Sequence, residues 1–334
     1  MSLSSLLLNE NIKEVNLELI IDLAKQGVPK NDPSVRYYLW LLLLRLIPSD
    51  KSKWANSIAN KLTQYWKWAN NFFSAVPDWT EKHFSKKMTL KSFGLEKDEI
   101  MTQIHGDLVR TPKESFEKYE IAENSDEVNF HTRRIERILY VFSCLNSAYS
   151  YTQGFNELCL PIYHVVLMAH KKEGRTHDDT EAISFFMLQN LITGTGLGDL
   201  FTMEHDFEAV SQRFSMIKEM SRIADQELYK QLFVLQEIDP LHFAFSWVSV
   251  LFGQIYCGEK LLLLWDRFLL RTNHILDYGM AMATAHIIEI KVSLTGKSFT
   301  EIVETLHKIE EQDPGTITSR AEDIWAQYIQ SIDI

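Results

Sequence analysis

Apolar residues recur every three to four positions along most of the chain, which is the spacing of amphipathic α-helices. No segment alternates apolar and polar residues as a half-buried β-strand does. Helices are predicted over residues 12–26, 33–47, 53–75, 135–145, 155–166, 205–238, 241–256, 259–271, 275–292, 299–311 and 319–332, and another begins near residue 181. The pattern predicts an all-α protein.

Local signals and composition support this class. Asp32 followed by Pro33 is a typical helix start, and Ser298 with Glu301 forms a capping-box pattern. The chain has 13 glycines and 8 prolines in 334 residues, about half the usual share, and it contains no Asn-Gly or Asp-Gly pair. The main signals for hairpins are therefore missing, and no significant β-sheet is expected.

Breaks in the helical pattern suggest how the chain is organised. Residues 76–132 are polar and without clear period, and within them 76–103 is typical of an insertion. A glycine-rich break at residues 194–198 suggests a lobe boundary. We therefore predict an N-terminal lobe over 1–195 and a C-terminal lobe over 196–334.

Charge and cysteine content exclude several classes of protein. The formal net charge of −11 argues against nucleic-acid binding and against a polybasic membrane anchor. The longest apolar run, residues 37–44, is too short to cross a bilayer and ends at Arg45. Three cysteines without a C-x-x-C pair predict reduced core thiols. We expect a cytoplasmic protein that does not insert directly into membranes.

Two groups of potential metal ligands occur, at residues 177–179 and 204–206. Ligands on adjacent residues of one loop rarely converge on a single ion, so we predict solvated loops and no metal site.

Two polar residues lie at breaks in the pattern where a side chain can project. Arg110 lies between Gly106 and Pro112, and Gln153 immediately precedes Gly154 and an apolar-striped helix. Neither side chain is an acid–base group of the kind a hydrolase needs. A cation and an amide are, however, what phosphoryl transfer from a nucleotide uses, to neutralise phosphate charge and to orient the attacking water.

These residues belong to two motifs that resemble those of the TBC-domain family of Rab GTPase-activating proteins. The motifs are Ile104-x-x-Asp107-x-x-Arg110, similar to the family's IxxDxxR, and Tyr151-x-Gln153-Gly154, similar to its YxQG. Further similar segments are Gly27-Val-Pro29, Glu181-Ala182, Phe243–Trp247 and Leu264–Asp266.

The resemblance implies a two-lobed helical domain that activates GTP hydrolysis by a Rab in its GTP form and so acts in vesicle trafficking. Arg110 and Gln153 would be catalytic fingers supplied in trans, with Asp107 as a buried bracing carboxylate. Support of the finger loops and contact with the Rab would come from Ile104, Asp107, Tyr151, Gly154 and Asn156. The chain would have no cofactor of its own, since the Rab carries GTP and Mg²⁺, and it would neither bind nor hydrolyse GTP alone. Its partner would recruit it peripherally to endomembranes.

One departure from the family pattern supports an alternative. The family usually has an arginine immediately before Trp247, where this chain has Ser246, and residues 254–256 lack the usual acidic residue. The alternative is a catalytically weak scaffold or effector that binds a GTP-loaded Rab without accelerating hydrolysis.

Overall fold

The computed structural model describes residues 2–81, 98–202 and 207–332. Within these ranges the chain is helical, and the sole extended pairing is an isolated bridge between Glu14 and Asp50. The all-α class is therefore confirmed. The helices are α1 (Leu3–Leu8), α2 (Leu17–Lys25), α3 (Pro33–Leu43), α4 (Trp54–Phe72), α5 (Asp98–Arg110), α6 (Lys113–Lys118), α7 (Ser125–Leu145), α8 (Phe155–Glu173), α9 (His177–Gly194), α10 (Asp199–Thr202), α11 (Phe207–Phe214), α12 (Met216–Ala224), α13 (Gln226–Tyr229), α14 (Leu241–Val248), α15 (Gly258–Leu269), α16 (Ile275–Glu289), α17 (Lys291–Leu294), α18 (Phe299–His307) and α19 (Pro314–Ile332).

The chain divides into two compact units, Met1–Gly194 and Thr195–Ile334. In the first unit α8 packs against α3 and α9, while α7 contacts α5 and α9. In the second unit α16 packs against α12, α14 and α19. Each unit has its own apolar core, which includes Trp40 in the first and Trp265 in the second, both fully buried.

A buried network of charges joins three helices of the first unit. Glu181 of α9 is fully buried and accepts hydrogen bonds from Tyr65 of α4 at 2.6 Å and from Arg134 and Arg137 of α7 at 2.8 Å. Burial lowers the pKa of Arg137, but the adjacent Glu181 carboxylate more than offsets this and raises that pKa above its usual value. The charges are tolerated in the core because they are paired and hydrogen-bonded.

Tight helix contact in the second unit depends on a glycine. A Cβ atom at Gly279 of α16 would lie 2.9 Å from Cγ1 of Val248 on α14, closer than real Cβ contacts. The missing side chain therefore lets the two helices approach each other.

The predicted helix caps are confirmed. The Asp32 carboxylate accepts from the backbone N–H of Ser34 with Pro33 in the first turn, and Ser298 and Glu301 form the reciprocal capping box.

No helix in the described part of the chain is both long and apolar enough to cross a membrane. Cys159 is buried, whereas Cys144 and Cys257 are only half-buried and so are not full core residues as predicted.

Residues 76–132 are not irregular as predicted, because they contain α5, α6 and the start of α7. Residues 82–97 of the predicted insertion lie outside the described residues. The polar segment 171–180 is also largely helical, since α8 continues to Glu173 and α9 begins at His177.

Two long predicted helices end early for local reasons. The predicted helix over 205–238 is interrupted where the Asp225 side chain caps α13, and it continues as a π-helical segment, Lys230–Leu235. The helix predicted over 241–256 ends at Val248, because Leu251 and Phe252 adopt left-handed backbone with φ of 47° and 65°.

Candidate functional site

The first segment of the site is the end of α5, where three motif residues differ strongly in exposure. Residues three positions apart on a helix step around its axis by about 60°. Ile104 accordingly points into the core and is fully buried, and Asp107 lies at the edge with 7% of its surface exposed. Arg110 is the last helical residue, and 68% of its side chain is exposed. Arg110 was predicted to lie at a break, and the helix does end there.

The Arg110 guanidinium folds back along its own helix. It donates to Oδ1 of Asp107 and lies over Gly106, where an added Cβ would be 3.5 Å from Nη1. This distance is an ordinary van der Waals contact, so the position of the arginine does not require a glycine at residue 106. The contact is local and exposed, so it restrains the side chain without burying it.

The second segment of the site is the loop between α7 and α8. Ser150 and Gly154 adopt left-handed backbone with φ of 51° and 104°, which turns the chain sharply into α8. Gln153 lies in this turn, and its side chain is exposed and makes no hydrogen bond to any residue that the structure describes. A glycine after it allows this geometry without steric cost.

Two side-chain hydrogen bonds join the loop and the first turn of α8 to the end of α5 and the residue after it. The hydroxyl of Tyr151 donates to Oδ2 of Asp107 at 2.7 Å, and the Asn156 amide donates to the Thr111 hydroxyl at 3.2 Å. Burial, together with the hydrogen bond to Asp107, raises the pKa of Tyr151 well above its usual value. Tyr151 therefore stays protonated and acts as a donor at any physiological pH.

Helix α5 is anchored to α7 by a cluster that sequence reasoning missed. His105 Nδ1 lies 2.7 Å from Oε1 of the fully buried Glu136, and Arg133 Nη1 lies 2.7 Å from Oε2 of the same carboxylate. The signal was available, since a glutamate within an apolar helical stripe needs a partner. Thr111, which precedes Pro112, was also missed as a site residue.

All the predicted site residues occur in the first unit, and the contacts above bring Asp107, Arg110, Tyr151 and Asn156 together. Ser246 lies on α14 of the second unit, where its hydroxyl donates to the carbonyl of Phe243 at 3.1 Å.

The two predicted solvated loops have different outcomes. Residues 177–179 form the first turn of α9, and Asp178 accepts from Arg134 at 2.8 Å, so this segment is not a loop. Residues 204–206 lie outside the described residues. Among the side chains that are described, no three potential ligands come together to hold a metal ion.

Comparison with known proteins places the chain in a family. The model of the Rab-GTPase-TBC domain matches residues 33–291, most of the chain. The human protein "TBC1 domain family member 13" is 28% identical over 212 residues, covering 63% of this chain and 51% of that protein. The "GTPase-activating protein gyp1" of Schizosaccharomyces pombe is 24% identical over 197 residues, covering 55% of this chain and 37% of that protein. The chain thus spans about half the length, or less, of these relatives.

Solved structures agree on the fold. The crystal structure of the Ypt/Rab-GAP domain of Gyp1p superposes with a TM-score of 0.73 at 17% identity and covers 98% of this chain and 97% of that one. The Chlamydomonas flagellar RabGAP TBC domain gives a TM-score of 0.60 at 16% identity and covers 92% of this chain and 85% of that one. With the family model matching both motif segments and the helical fold shared, this chain belongs to the Rab-GTPase-TBC domain family.

Proposed function

We propose that this chain accelerates GTP hydrolysis by a Rab-family small GTPase, and that Arg110 and Gln153 enter the partner's nucleotide site. The observation that carries the proposal is a pair of exposed side chains, one cationic and one amide, on two segments that a 2.7 Å hydrogen bond between Tyr151 and Asp107 joins. GTP is the substrate and is carried with its Mg²⁺ by the partner, and the chain alone neither binds nor hydrolyses the nucleotide.

The chemistry of the two side chains matches what hydrolysis of GTP needs from a second protein. Negative charge spreads over the phosphoryl oxygens in the transition state, and a guanidinium stabilises it. A carboxamide can hold the attacking water by accepting and donating hydrogen bonds at once. Neither group transfers a proton near neutral pH, so Arg110 and Gln153 stabilise charge and orient water.

The resting contact of Arg110 is weak enough to be broken on binding. The arginine end of this ion pair is exposed but Asp107 is buried, so breaking the contact costs about 1–3 kcal/mol. An arginine finger lowers the barrier by about 4–7 kcal/mol, corresponding to a rate gain of ~10³–10⁵. When Arg110 leaves, the buried Asp107 carboxylate keeps its hydrogen bond from Tyr151. Extension of the finger therefore costs less than the finger contributes.

The relatives support the class of partner. The fission yeast relative is named as a GTPase-activating protein, and the solved neighbour is a Ypt/Rab-GAP domain. We propose a Rab in the GTP form as the partner, recruitment of a cytoplasmic chain to endomembranes by that partner, and a role in vesicle trafficking.

The test is single-turnover GTP hydrolysis across a panel of purified Rabs loaded with GTP, with wild type, Arg110→Ala and Gln153→Ala compared. We expect wild type to accelerate one or a few Rabs by orders of magnitude, and Arg110→Ala to lose about 10³-fold or more. The matched control is Arg222→Ala, because Arg222 is also half-exposed and paired with an acidic residue three positions earlier, Glu219. This control should retain full activity.

A second function is favoured by one observation, Ser246 in place of the family's arginine. If no Rab is accelerated while some bind in the GTP form, the chain is a scaffold or effector and the catalytic proposal is wrong.

A further inference from the structure

Thr111, which follows Arg110, forms hydrogen bonds to both segments of the candidate site. Its hydroxyl donates to the carbonyl oxygen of Asp107 at 3.1 Å and accepts from the side-chain amide of Asn156 at 3.2 Å. Its backbone N–H donates to the same Asp107 carbonyl at 3.0 Å. Thr111 thus closes the last turn of α5 and connects it to the first turn of α8.

The bond between Thr111 and Asn156 is the second link between the segments, after the one between Asp107 and Tyr151. In the first segment the linked residues, Asp107 and Thr111, flank Arg110 along the sequence. In the second segment Tyr151 and Asn156 flank Gln153. A single hydrogen bond lets the segments rotate about it. A second bond placed in this way fixes their separation and restricts that rotation.

We propose that Thr111 is a positioning residue that holds Arg110 and Gln153 in one mutual arrangement, so that both reach the transition state together. This inference rests on the proposed function. A misplacement of about 1 Å can cost about 10²-fold in rate. The effect should fall on kcat, because the Thr111 hydroxyl is occupied within the chain by Asp107 and Asn156.

The hydroxyl is the group that matters, since it donates and accepts at once. Thr111→Val keeps the shape of the side chain but removes both bonds and leaves the buried Asn156 amide without this acceptor. Thr111→Ser keeps the hydroxyl. The two variants therefore separate the hydrogen bonds from the packing of the side chain.

The experiment measures kcat and KM for single-turnover hydrolysis on the Rab that wild type accelerates most. We expect Thr111→Val to lower kcat about 10-fold with KM within about 2-fold, and Thr111→Ser to stay within about 3-fold of wild type. The matched control is Thr63→Val on α4. The hydroxyl of this exposed residue donates at 3.1 Å to the carbonyl of Ala59, four residues earlier, and bonds to no second helix among the described residues. This control should match wild type.

Further variants complete the test. If the link acts as a unit, adding Asn156→Ala to Thr111→Val should lower kcat no further than the stronger single variant does. Should circular dichroism show that Thr111→Val does not fold, Asn156→Ala alone breaks the same bond and must give the same loss of kcat.

Three results would each overturn the positioning role alone: an unchanged kcat in the valine variant, a change confined to KM, or a serine variant as slow as the valine one. If wild type accelerates no Rab, the proposed function is wrong and the positioning role falls with it.

Discussion

At the scale of single residues, Asp107 is the centre of the site, since its two carboxylate oxygens bind different segments. Oδ1 accepts from Arg110 of the same helix, and Oδ2 accepts from Tyr151 of the following loop. The carboxylate is buried, so losing either donor leaves a charged oxygen poorly compensated. The two contacts are unequal, because the tyrosine is buried and the arginine is exposed.

We therefore expect Tyr151→Phe to impair both stability and activity. Removing a donor to a buried carboxylate should lower the free energy of unfolding by about 1–3 kcal/mol. It should also lower kcat by about 10-fold, because the loop that carries Gln153 loses a link to α5. Urea unfolding and single-turnover hydrolysis check the two effects. Tyr149→Phe is the control, because Tyr149 is half-buried and its hydroxyl makes no hydrogen bond to any described residue. Equal behaviour of the two variants would refute the role of Tyr151.

Val109 is the exposed apolar neighbour of Arg110, with 66% of its surface accessible. If Arg110 enters the partner's site, Val109 must come close to the partner's surface, where apolar contact is favourable. We expect Val109→Ser to raise KM by up to about 10-fold while kcat is nearly unchanged. Val292→Ser, at a valine that is 90% exposed in the second unit, is the matched control. Loss of kcat without a change in KM would contradict the assignment of Val109 to the interface.

At the scale of elements, the junction between α7 and α8 depends on backbone that most residues avoid. Gly154 precedes the first residue of α8 with φ of 104°, and Ser150 earlier in the loop has φ of 51°. A Cβ atom makes left-handed backbone unfavourable by about 1–2 kcal/mol per residue. The direction in which Gln153 leaves the loop is thus set by one glycine.

Gly154→Ala should destabilise the chain by about 1–2 kcal/mol and lower kcat, since relief of the strain would rotate the turn that carries Gln153. Gly194→Ala is the control, because Gly194 is helical and an added Cβ would lie 4.0 Å from Cβ of Asn190, an ordinary contact. This control should be neutral or stabilising by up to about 1 kcal/mol. Urea unfolding of both variants is the measurement, and equal stability of the two would show that φ at residue 154 is not under strain.

At the scale of the whole molecule, both units contain buried histidines that pair with tyrosines. Burial lowers the pKa of His170 to about 3 in the first unit and that of His286 to about 4 in the second. His170 Nε2 lies 3.2 Å from the Tyr37 hydroxyl, and His286 Nε2 lies 2.9 Å from the Tyr256 hydroxyl. Both imidazoles are neutral in the folded chain at neutral pH.

These histidines make the chain sensitive to acid. Above the unfolded pKa of 6.5 they are neutral in both states and stability is complete. As the pH falls below 6.5, these histidines bind protons in the unfolded chain but stay neutral in the folded chain. The free energy of unfolding therefore decreases, and for His286 it does so down to about pH 4. For His286 the loss at pH 5 is about 2 kcal/mol. Thermal or urea unfolding at pH 7 and pH 5 measures it.

His286→Gln should reduce this pH dependence by about 2 kcal/mol, whatever it does to stability at pH 7. Tyr256→Phe is the control, since it removes the hydroxyl beside His286 but leaves the titrating imidazole in place. An unchanged difference between pH 7 and pH 5 in the glutamine variant would rule out His286 as a source of acid sensitivity.

Sequence analysis singled out the two motifs but missed some of the helices around them. Helix α5 was missed because its few buried apolar residues, among them Met101, Ile104 and Leu108, are embedded in polar sequence. The motif that ends α5 was nevertheless recognised by its resemblance to the family's IxxDxxR pattern. Packing against α7 makes this segment helical, and neighbours brought near by folding are not visible in a local window.

The sequence by itself determined the features that are encoded locally: the all-α class, the helix caps, and the two motifs with their arginine and glutamine. The tertiary structure alone decided how the motifs combine. Tyr151 meets Asp107 from 44 residues away, and Asn156 meets Thr111 from 45 residues away. Spacing along the chain carries no information about such pairs, because the packing of α5, α7 and α8 sets the distance between their side chains.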